Sequence, residues 1–278
     1  MKFSVITASH NQPAWLKRCV RSVADQAPGV GVEHIIQEKG PAPDTVEWLH
    51  ANSNAKIFVE DDTGMYDALN RGLRRVSGDI FAILNCDEQY LPGALARVEQ
   101  AFRENPDADI VAGDYLITNA AGELLSFRRA TPLRASMILT DHLYDFTCAL
   151  FFRRRLIERG IFFDPAYRAA GDADWVSRLL LSGARVAYVH EYLATFAITG
   201  GNLSQRADQA EEIARLRKIT PRWAVAAAPL LRKIRHMEKL FLGGYRSAPI
   251  AYEIYVGEDE LQRTRFVCEK PSFRHPWA

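Results

Sequence analysis

Residues 64–90, GMYDALNRGLRRVSGDIFAILNCDEQY, contain a helix pattern followed directly by a buried-strand pattern. In the first part, apolar or small side chains recur at helical spacing, at Met65, Ala68, Leu69, Gly72, Leu73 and Val76. The second part, DIFAILN (79–85), is a short continuous apolar run, which is typical of a strand buried on both faces of a sheet. A helix that leads into such a strand indicates an α/β fold with a parallel sheet.

The same alternation continues on both sides of this stretch. β-Branched or apolar runs predict further strands at residues 2–8, 32–38, 55–60 and 108–118. Helices are predicted to begin after Pro13 and to occupy residues 44–52 and 92–105. We therefore predict a mostly parallel central sheet, flanked by helices, with right-handed crossovers between its strands.

The pattern changes from about residue 119. The elements predicted there are a hairpin at 119–130, a strand leading into a helix at 148–160, a helix at 172–183 and a strand at 184–198. From about residue 205 the sequence predicts a mostly helical tail that Pro221 and Pro229 interrupt, with a strand-like segment at 251–256 near its end.

Composition limits the class of protein. The 278 residues carry a formal net charge of +1 and are 48% hydrophobic, which is enough for a sizeable core and gives no argument for a nucleic-acid partner. The cysteines are far apart and form no CxxC pair, so we expect a reducing compartment and neither a disulfide framework nor a zinc site. The first apolar run is too short for a signal peptide, and no run reaches the roughly 20 apolar residues of a membrane span. We therefore expect a cytoplasmic protein.

Polar side chains follow several predicted strands at the point where each strand ends. Asp87 and Glu88 come directly after the apolar run at 80–84, and Thr7, Glu38 and Asp62 end or follow three other strands. In open parallel sheets, ligands bind beyond the carboxyl ends of the strands. Two interpretations of the acidic pair are therefore open: it is an ordinary solvated strand end, or it delivers a metal ligand to a cleft.

Three segments, in this order along the chain, resemble family 2 glycosyltransferases. They are SVITASHNQPAWLKRCVRSV (4–23), EDDTGMYDALNRGLRRVSGDIFAILNCDEQYLPGAL (60–95) and GDADWVSRLLLSGARVAYV (171–189). The resemblance implies the GT-A fold and an inverting enzyme with a UDP- or GDP-linked sugar as donor. It also implies a saccharide or lipid-linked saccharide as acceptor, as in the assembly of bacterial surface polysaccharides.

The resemblance also implies a division of the chain. It runs from residue 2 to about 204, so we expect a GT-A catalytic domain at 1–204, with a nucleotide-binding half at 1–118 and an acceptor half at 119–204. Residues 205–278 would form a mostly helical C-terminal extension.

Family 2 enzymes carry an Asp-x-Asp-like element after the fourth strand, and here it reads Asn85-Cys86-Asp87-Glu88. The resemblance implies that Asp87 contacts a divalent metal, Mn²⁺ or Mg²⁺, and that Glu88 takes the place of the second aspartate. It implies nucleotide-binding positions at Thr7, Ala8, Asn11, Glu38, Asp62, Asp67, Asn70, Arg71, Asn85 and Cys86. For Asp67 and Arg71 an ordinary i,i+4 ion pair is the alternative interpretation.

The family's catalytic base lies at the start of a helix, which here is AAGDADWVSRLL (169–180). The resemblance implies that Asp172 is the base, with Asp174 as the alternative, and that Trp175 walls the sugar or acceptor pocket. Asp172 could equally cap the helix, because aspartate is a preferred cap residue. Thr147-Cys148 replaces a His-Gln pair of many relatives and implies a changed acceptor or sugar pocket, while the loop GGNLS (200–204) resembles a family loop near the diphosphate.

Two other functions stay open on the sequence alone. A nucleotidyltransferase would need a glycine- and lysine-rich phosphate loop after the first strand, and TASHNQPAW (7–15) has none. A catalytically altered nucleotide-sugar binding module is suggested by the departures from the family pattern at Glu38, Glu88, Thr147 and Cys148.

The tail is rich in basic residues between 214 and 246, with apolar residues interleaved among them. Three interpretations are open for this segment: peripheral contact with an anionic membrane at the cytoplasmic face, packing on the catalytic domain, and contact between copies in a homo-oligomer.

Overall fold

A computed structural model describes residues 1–199, 208–257 and 261–274. Its main feature is a nine-stranded sheet in the order β3-β2-β1-β4-β8-β6-β9-β5, with β7 paired to β6. The strands are β1 (Lys2–His10), β2 (Gly31–Lys39), β3 (Lys56–Val59), β4 (Ile80–Ile83), β5 (Glu88–Tyr90), β6 (Ile110–Asn119), β7 (Leu124–Arg128), β8 (Leu150–Arg153) and β9 (Val186–Ile198).

The strand pairing confirms the mostly parallel sheet. Strands β3, β2, β1 and β4 are parallel neighbours, and β6 pairs in parallel with β9. Since β8 is antiparallel to both β4 and β6, the latter two run in the same direction. One direction is therefore shared by β1, β2, β3, β4, β6 and β9. Only β8, β7 and β5 run the other way in this part of the described chain. The short strand β5, which follows the acidic loop and pairs with β9, is missing from the sequence prediction.

Helices cover both faces of the sheet. They are α1 (Pro13–Ala24), α2 (Pro43–Asn52), α3 (Met65–Leu73), α4 (Ala94–Glu104), α5 (Ala135–Thr140), α6 (Arg155–Glu158) and α7 (Gly171–Leu181). The predicted stripe of α3 packs on the sheet, and a Cβ atom on Gly72 would lie 2.4 Å from Cγ2 of Ile6. The glycine in the stripe therefore lets α3 close on β1.

Two hydrophobic clusters fill the space between the sheet and the helices. One joins Ile6 and Phe81 to α3, α5 and α7 and is centred on Trp175, and the other joins Phe3 and Phe151 to α1 and α4. Burial on both faces explains why the strands read as continuous apolar runs rather than as alternating patterns.

The tail contains two helices, α8 (Asp208–Ile219) and α9 (Arg222–Phe241), and an antiparallel pair of strands, β10 (Ile250–Ile254) and β11 (Thr264–Cys268). Pro221 lies at the start of α9, but the prediction that Pro229 interrupts the tail is wrong, because α9 runs through it. Pro229 is exposed, so water can bind the carbonyl group that the missing N–H leaves free. No helix in the described ranges combines the length and apolarity that crossing a membrane requires.

Candidate active site

The carboxyl ends of β1 and β2 meet at Glu38 and Asn11. Glu38 is only 2% exposed, and its Oε1 accepts a hydrogen bond of 2.8 Å from the backbone N–H of Asn11. Asn11 has a left-handed backbone with φ 50°, so the carboxylate holds a turn that few non-glycine residues adopt. The second oxygen, Oε2, is buried and has no hydrogen-bond partner among the described residues. A buried acceptor without a donor is costly, so this atom marks a place where a ligand N–H or O–H fits.

Thr7 lies below this edge rather than in it. Its side chain is fully buried, and its hydroxyl donates to the carbonyl oxygen of Leu84 at 2.7 Å. The hydroxyl has one proton, so at its 2.8 Å contact with His34 it accepts from Nε2. Burial lowers the pKa of His34 to about 3, which keeps this ring neutral. The geometry does not favour Thr7 as a nucleotide contact, because its hydroxyl ties β1 to the end of β4; Ala8, the next residue, is 9% exposed.

The two carboxylates of the acidic loop after β4 differ in exposure: Glu88 is buried and Asp87 is half-buried. Glu88 is 1% exposed, and its Oε2 accepts a hydrogen bond of 2.7 Å from the backbone N–H of Asn85. Burial and the charge of Asp87 raise the pKa of Glu88 to about 8, while burial raises that of Asp87 to about 6. Glu88 closes the loop, and its burial favours the neutral carboxyl over the carboxylate. The geometry does not favour Glu88 as a metal ligand and leaves Asp87 for that role.

The oxygen atoms of this loop fit a metal that takes most of its ligands from the substrate. The described residues contain no group of three or more His, Cys, Asp or Glu side chains that could hold a metal alone. They do offer the carboxylate of Asp87 and, beside it, Oδ1 of Asn85, which is buried without a partner among the described residues. Mg²⁺ commonly binds one or two carboxylates together with substrate phosphates and waters, so this donor set suits Mg²⁺ or Mn²⁺.

Cys86 packs between the acidic loop and the turn after β1. Its Sγ lies 3.6 Å from Oε1 of Gln12, and burial, then the charge of Asp87, raises the pKa of the thiol well above its usual value. Cys86 is therefore a neutral, buried side chain that links the two loops. Gln12 was not among the predicted site residues; its position directly after Asn11 was the available signal.

Asp62 shapes the entry to α3. Its Oδ1 accepts a hydrogen bond of 2.9 Å from the backbone N–H of Gly64, and its backbone oxygen accepts one of 2.6 Å from Nζ of Lys39. Lys39 follows Glu38 at the end of β2, so it links the second and third strands at the edge where the predicted site lies. Sequence reasoning missed Lys39. The neighbouring Asp61 is exposed.

The polar side chains of α3 are engaged within the protein. Nη2 of Arg71 lies 3.2 Å from Oδ2 of Asp67, which is the i,i+4 ion pair of the alternative interpretation. Asn70 is buried, and its amide group both donates to and accepts from the backbone of Phe163 at 2.9 Å. The geometry therefore favours a structural role for Asn70, which connects α3 to the segment before α7. It does not favour a contact between Asn70 and the nucleotide.

Asp172 lies in the first turn of α7 and lines a cavity. Hydrogen bonds of 2.9 and 3.3 Å run from the backbone N–H groups of Gly171 and Asp172 to Oη of Tyr66, on α3. Burial raises the pKa of the Asp172 carboxyl to about 6. Its Oδ1 also accepts from the N–H of Ala173 at 2.9 Å, although the cap position itself is Ala170. Asp172 therefore combines a first-turn backbone contact with a place on the cavity wall.

The geometry does not favour the predicted roles of Asp174 and Trp175. Asp174 is 5% exposed and its carboxylate is bound by Arg178 at 2.7 Å, so it is not available to an acceptor. Trp175 is 1% exposed, stacks on Phe163 with centroids 4.3 Å apart, and belongs to the core instead of walling a pocket. The reason is helix geometry: successive positions turn by about 100°, so residues two or three places after Asp172 point elsewhere.

Thr147 and Cys148 also lie away from the cavity. Cys148 is fully enclosed in the core beneath the acidic loop, where burial, then the charges of Glu88 and Asp87, raises its pKa well above the usual value. Thr147 is buried in the same 3-10 turn. The geometry does not favour these two residues as part of an acceptor pocket, since the neighbouring Phe146 lines the cavity and they do not.

The cavity has a volume of about 580 Å³ and is enclosed by the β6–β7 hairpin, α5, α7, α8 and α9. Its wall carries Asp172 and also aromatic and cationic residues that sequence reasoning did not assign to a site: Tyr115, Tyr144, Arg128, Arg235 and Lys239. The last two come from the tail, so α9 is part of the pocket wall. The predicted loop at 200–204 lies outside the described residues.

Comparison with known sequences gives the family. The profile described as Glycosyl transferase family 2 matches residues 4–161, which is more than half of the 278 residues. A curated relative, the PGL/p-HBAD biosynthesis glycosyltransferase of Mycobacterium bovis (strain BCG / Pasteur 1173P2), is 28% identical over 206 residues, covering 72% of this chain and 78% of the relative.

Comparison with solved structures gives the fold. S. aureus TarS 1-349 in complex with UDP-GlcNAc superposes with a TM-score of 0.65 at 17% identity, covering 87% of this chain and 76% of that one. The match to another TarS structure covers 44% of its chain. The mannosyltransferase PcManGT from Pyrobaculum calidifontis, in complex with GDP-Man and Mn²⁺, has a TM-score of 0.53 at 15% identity, covering 84% and 75% of the two chains. With this GT-A-like fold and the matching profile, the chain belongs to glycosyl transferase family 2 and is a glycosyltransferase.

Proposed function

We propose that this enzyme transfers a sugar from a nucleoside-diphosphate donor, UDP- or GDP-linked, to a hydroxyl of a saccharide or lipid-linked saccharide, with inversion in a single displacement. The observation that carries the proposal is the position of Asp172, a carboxylate on the wall of the 580 Å³ cavity. Its charge adds to the effects of burial and Asp87 that raise the pKa of Glu88, so Asp172 is within electrostatic reach of the acidic loop.

Asp172 has the properties of a general base. With a pKa of about 6 it is mostly ionised at neutral pH and still basic enough to share a proton with an attacking hydroxyl. The acceptor oxygen forms a bond to the anomeric carbon from the cavity side while its proton passes to Asp172. The bond from the anomeric carbon to the donor diphosphate breaks, and its electron pair leaves with the nucleoside diphosphate. The Oη contacts of Tyr66 fix the backbone that carries the base.

The donor is placed at the carboxyl ends of β1, β2 and β4. The free Oε2 of Glu38 suits an N–H group of the nucleotide base, and Asp87 with Asn85 suits a divalent metal at the diphosphate. Such a metal supplies Lewis-acid stabilisation of the negative charge on the leaving group. Support comes from the fold relatives, which were solved in complex with UDP-GlcNAc and with GDP-Man and Mn²⁺.

The test combines two matched variants with product stereochemistry. Asp172→Asn should lower kcat by about 10²–10⁴-fold, the usual contribution of a general base, without changing nucleotide affinity. Asp174→Asn, two residues away in the buried Arg178 pair, should keep most of the activity. The assay is transfer or donor hydrolysis with a panel of UDP- and GDP-sugars, and NMR reads the anomer formed. Retention of configuration, or equal losses in the two variants, would contradict the proposal.

We further propose that α9 rests on an anionic lipid surface at the cytoplasmic face of a membrane. Its outer side carries an apolar stripe at helical spacing, formed by Trp223, Leu230, Ile234, Met237 and Phe241, with Trp223 63% and Phe241 78% exposed. Exposed basic residues precede the stripe along the chain, with Lys218 near the end of α8 and Arg222 at the start of α9. An apolar face beside basic residues is typical of a helix that lies in a membrane interface.

Vesicle sedimentation tests this contact. Vesicles containing anionic phospholipid should bind the wild-type protein more strongly than purely zwitterionic ones, and Trp223→Ser with Phe241→Ser should reduce binding. Light scattering on the same samples measures the oligomeric state. A dimer that the double variant dissociates, with no vesicle binding, would identify the stripe as a contact between copies and overturn the membrane proposal.

A further inference from the structure

Three cationic side chains from two distant parts of the chain lie close together on the cavity wall. Arg235 and Lys239 are one turn apart on α9, and Arg128 is the last residue of β7. Their proximity is visible in the titration of Lys239: burial, then the charges of Arg128 and Arg235, lowers its pKa to about 8. Burial, and to a smaller extent Arg235, also lowers the pKa of Arg128. Bringing these charges together costs free energy, which an anion would offset.

The described protein groups offset this charge only in part. Arg235 has a carboxylate partner, with Nη2 2.6 Å from Oδ2 of Asp141. Asp145 is buried nearby, and burial raises its pKa to about 8, so it contributes little negative charge near pH 7. Arg128 donates to the backbone oxygen of Phe273 at 3.0 Å, while its Nη2 is buried without a hydrogen-bond partner among the described residues. Lys239 lies over the ring of Tyr245, 5.2 Å from the centroid.

We propose that Arg128, Arg235 and Lys239 form a subsite for a phosphate or diphosphate group carried by the acceptor. This inference rests on the proposed function, since it assigns the cavity beside Asp172 to the acceptor. The guanidinium fork of Arg128 has a free buried N–H to donate, and the Lys239 ammonium supplies a compact charge, which together suit phosphate oxygens. A neutral saccharide would leave Arg128 and Lys239 without a compensating anion.

Charge favours a phosphate over a carboxylate. A phosphate ester carries about −1.5 to −2 at neutral pH and three acceptor oxygens, whereas a uronic acid carries one charge. Two of the three cations, Arg128 and Lys239, have no carboxylate within ion-pair distance among the described residues. The same phosphate chemistry could come from a lipid-linked acceptor or from a soluble polyol phosphate, and the structure names only the shared group.

The test is titration calorimetry of the full chain with inorganic pyrophosphate, in a chelator so that no metal site contributes. We expect Lys239→Gln and Arg128→Gln each to weaken pyrophosphate binding at least tenfold. Lys233→Gln, which removes an exposed lysine of the same helix that does not line the cavity, should bind as the wild type does. Thermal unfolding of each variant checks its fold, and Lys239→Arg, which keeps the charge, should restore binding. No binding to the wild type at millimolar pyrophosphate, or equal binding in all variants, would overturn the subsite.

Two further measurements are made. One distinguishes the possible sources of the phosphate group, and the other tests the proposed donor reaction separately. Farnesyl phosphate and glycerol 3-phosphate should both displace pyrophosphate, and the better competitor identifies a lipid-linked or a polyol-linked acceptor; displacement by neither overturns the proposal. UDP and GDP binding with Mn²⁺ is measured on the same variants. If Lys239→Gln loses nucleotide binding as well, the cations serve the donor and the subsite is wrong. If the wild type binds pyrophosphate but no nucleotide, the donor reaction fails and the anion site stands.

Discussion

The carboxylate of Glu212, on α8, accepts a hydrogen bond of 2.7 Å from the backbone N–H of Ala170, the cap residue of α7. It also accepts from the N–H groups of Arg168 and Ala169. Asp172 follows two residues later, so a side chain of the tail fixes the turn that presents the proposed base. Negative charge at a helix N-terminus is itself stabilising, which adds to the hold of Glu212 on this turn.

Glu212→Gln should shift the acid limb of the pH–rate profile to lower pH. Burial is the main reason for the raised pKa of Asp172, and the charge of Glu212 adds to it. Removing that charge while keeping an acceptor lowers the pKa of the base with little change in the plateau rate. The profile of kcat against pH measures the shift. Glu211→Gln, at an exposed neighbouring position, is the control and should leave the profile unchanged. Superimposable profiles for Glu212→Gln and the wild type would show that Glu212 does not act on the base.

The wild-type rate should itself fall as the pH drops through about 6, where the Asp172 carboxyl takes up its proton. A protonated carboxyl cannot receive the proton of the acceptor hydroxyl, so the rate should decrease tenfold per pH unit below that value. Asp87 titrates in the same range, so nucleotide binding is measured in parallel at each pH. A loss of rate that follows the loss of binding would assign the limb to the donor site instead of Asp172.

Asp145→Asn should gain stability relative to the wild type as the pH rises from about 5 to about 8. Burial raises the pKa of Asp145 from its ordinary 3.8 to about 8, so in this window the folded protein keeps a proton that the unfolded chain releases. The free energy of unfolding of the wild type therefore decreases with rising pH, and an asparagine, which does not titrate, removes this contribution. Urea unfolding at several pH values measures it.

The control for this experiment is Asp107→Asn, at a side chain that is 79% exposed. It shows what the loss of a surface carboxylate does to the free energy of unfolding at each pH. A difference between Asp145→Asn and the wild type that does not change with pH would mean that Asp145 is ionised throughout the window.

Gly171→Ala should lower kcat strongly and lower the free energy of unfolding only slightly. The added Cβ atom would lie 2.6 Å from the ring of Tyr66, and either the ring or the first turn of α7 must move. Both changes displace Asp172, and misplacement of about 1 Å can cost on the order of 100-fold in rate. Gly29→Ala, where the same atom meets nothing within 4 Å, is the matched control for kcat. Unchanged kcat in Gly171→Ala would show that the Tyr66 contact does not position the base.

The sequence predicted the fold better than it predicted which side chains face the site. The helix and strand pattern of residues 64–90 recurs in the structure as α3 and β4, because helical spacing and buried apolar runs are local properties. Helical spacing also separates Asp172 from Asp174, since two positions differ by about 200° and only one can face the cavity. For Thr7, the alternation of side chains along a strand did not predict which face it lies on, because β1 is buried on both faces.

The cationic end of the cavity could not be predicted from the sequence pattern. Arg128 on β7 and Lys239 on α9 are far apart in the sequence, and only the fold brings them to one cavity. Within the tail, Arg235 and Lys239 read as members of a general run of basic residues. No local signal distinguishes the members that line a cavity from those that face solvent.

Helix α9 places two different surfaces at a fixed separation. Lys239 points about 160° away from Trp223 and Phe241 around the helix axis, and a helix with its side chains is about 10–12 Å across. Whatever the outer stripe rests on, the cationic end of the cavity is thus held about one helix diameter above it. On a bilayer, this spacing would select acceptors by their length. Only an acceptor whose anionic group extends that far from the lipid layer would bring its hydroxyl to Asp172.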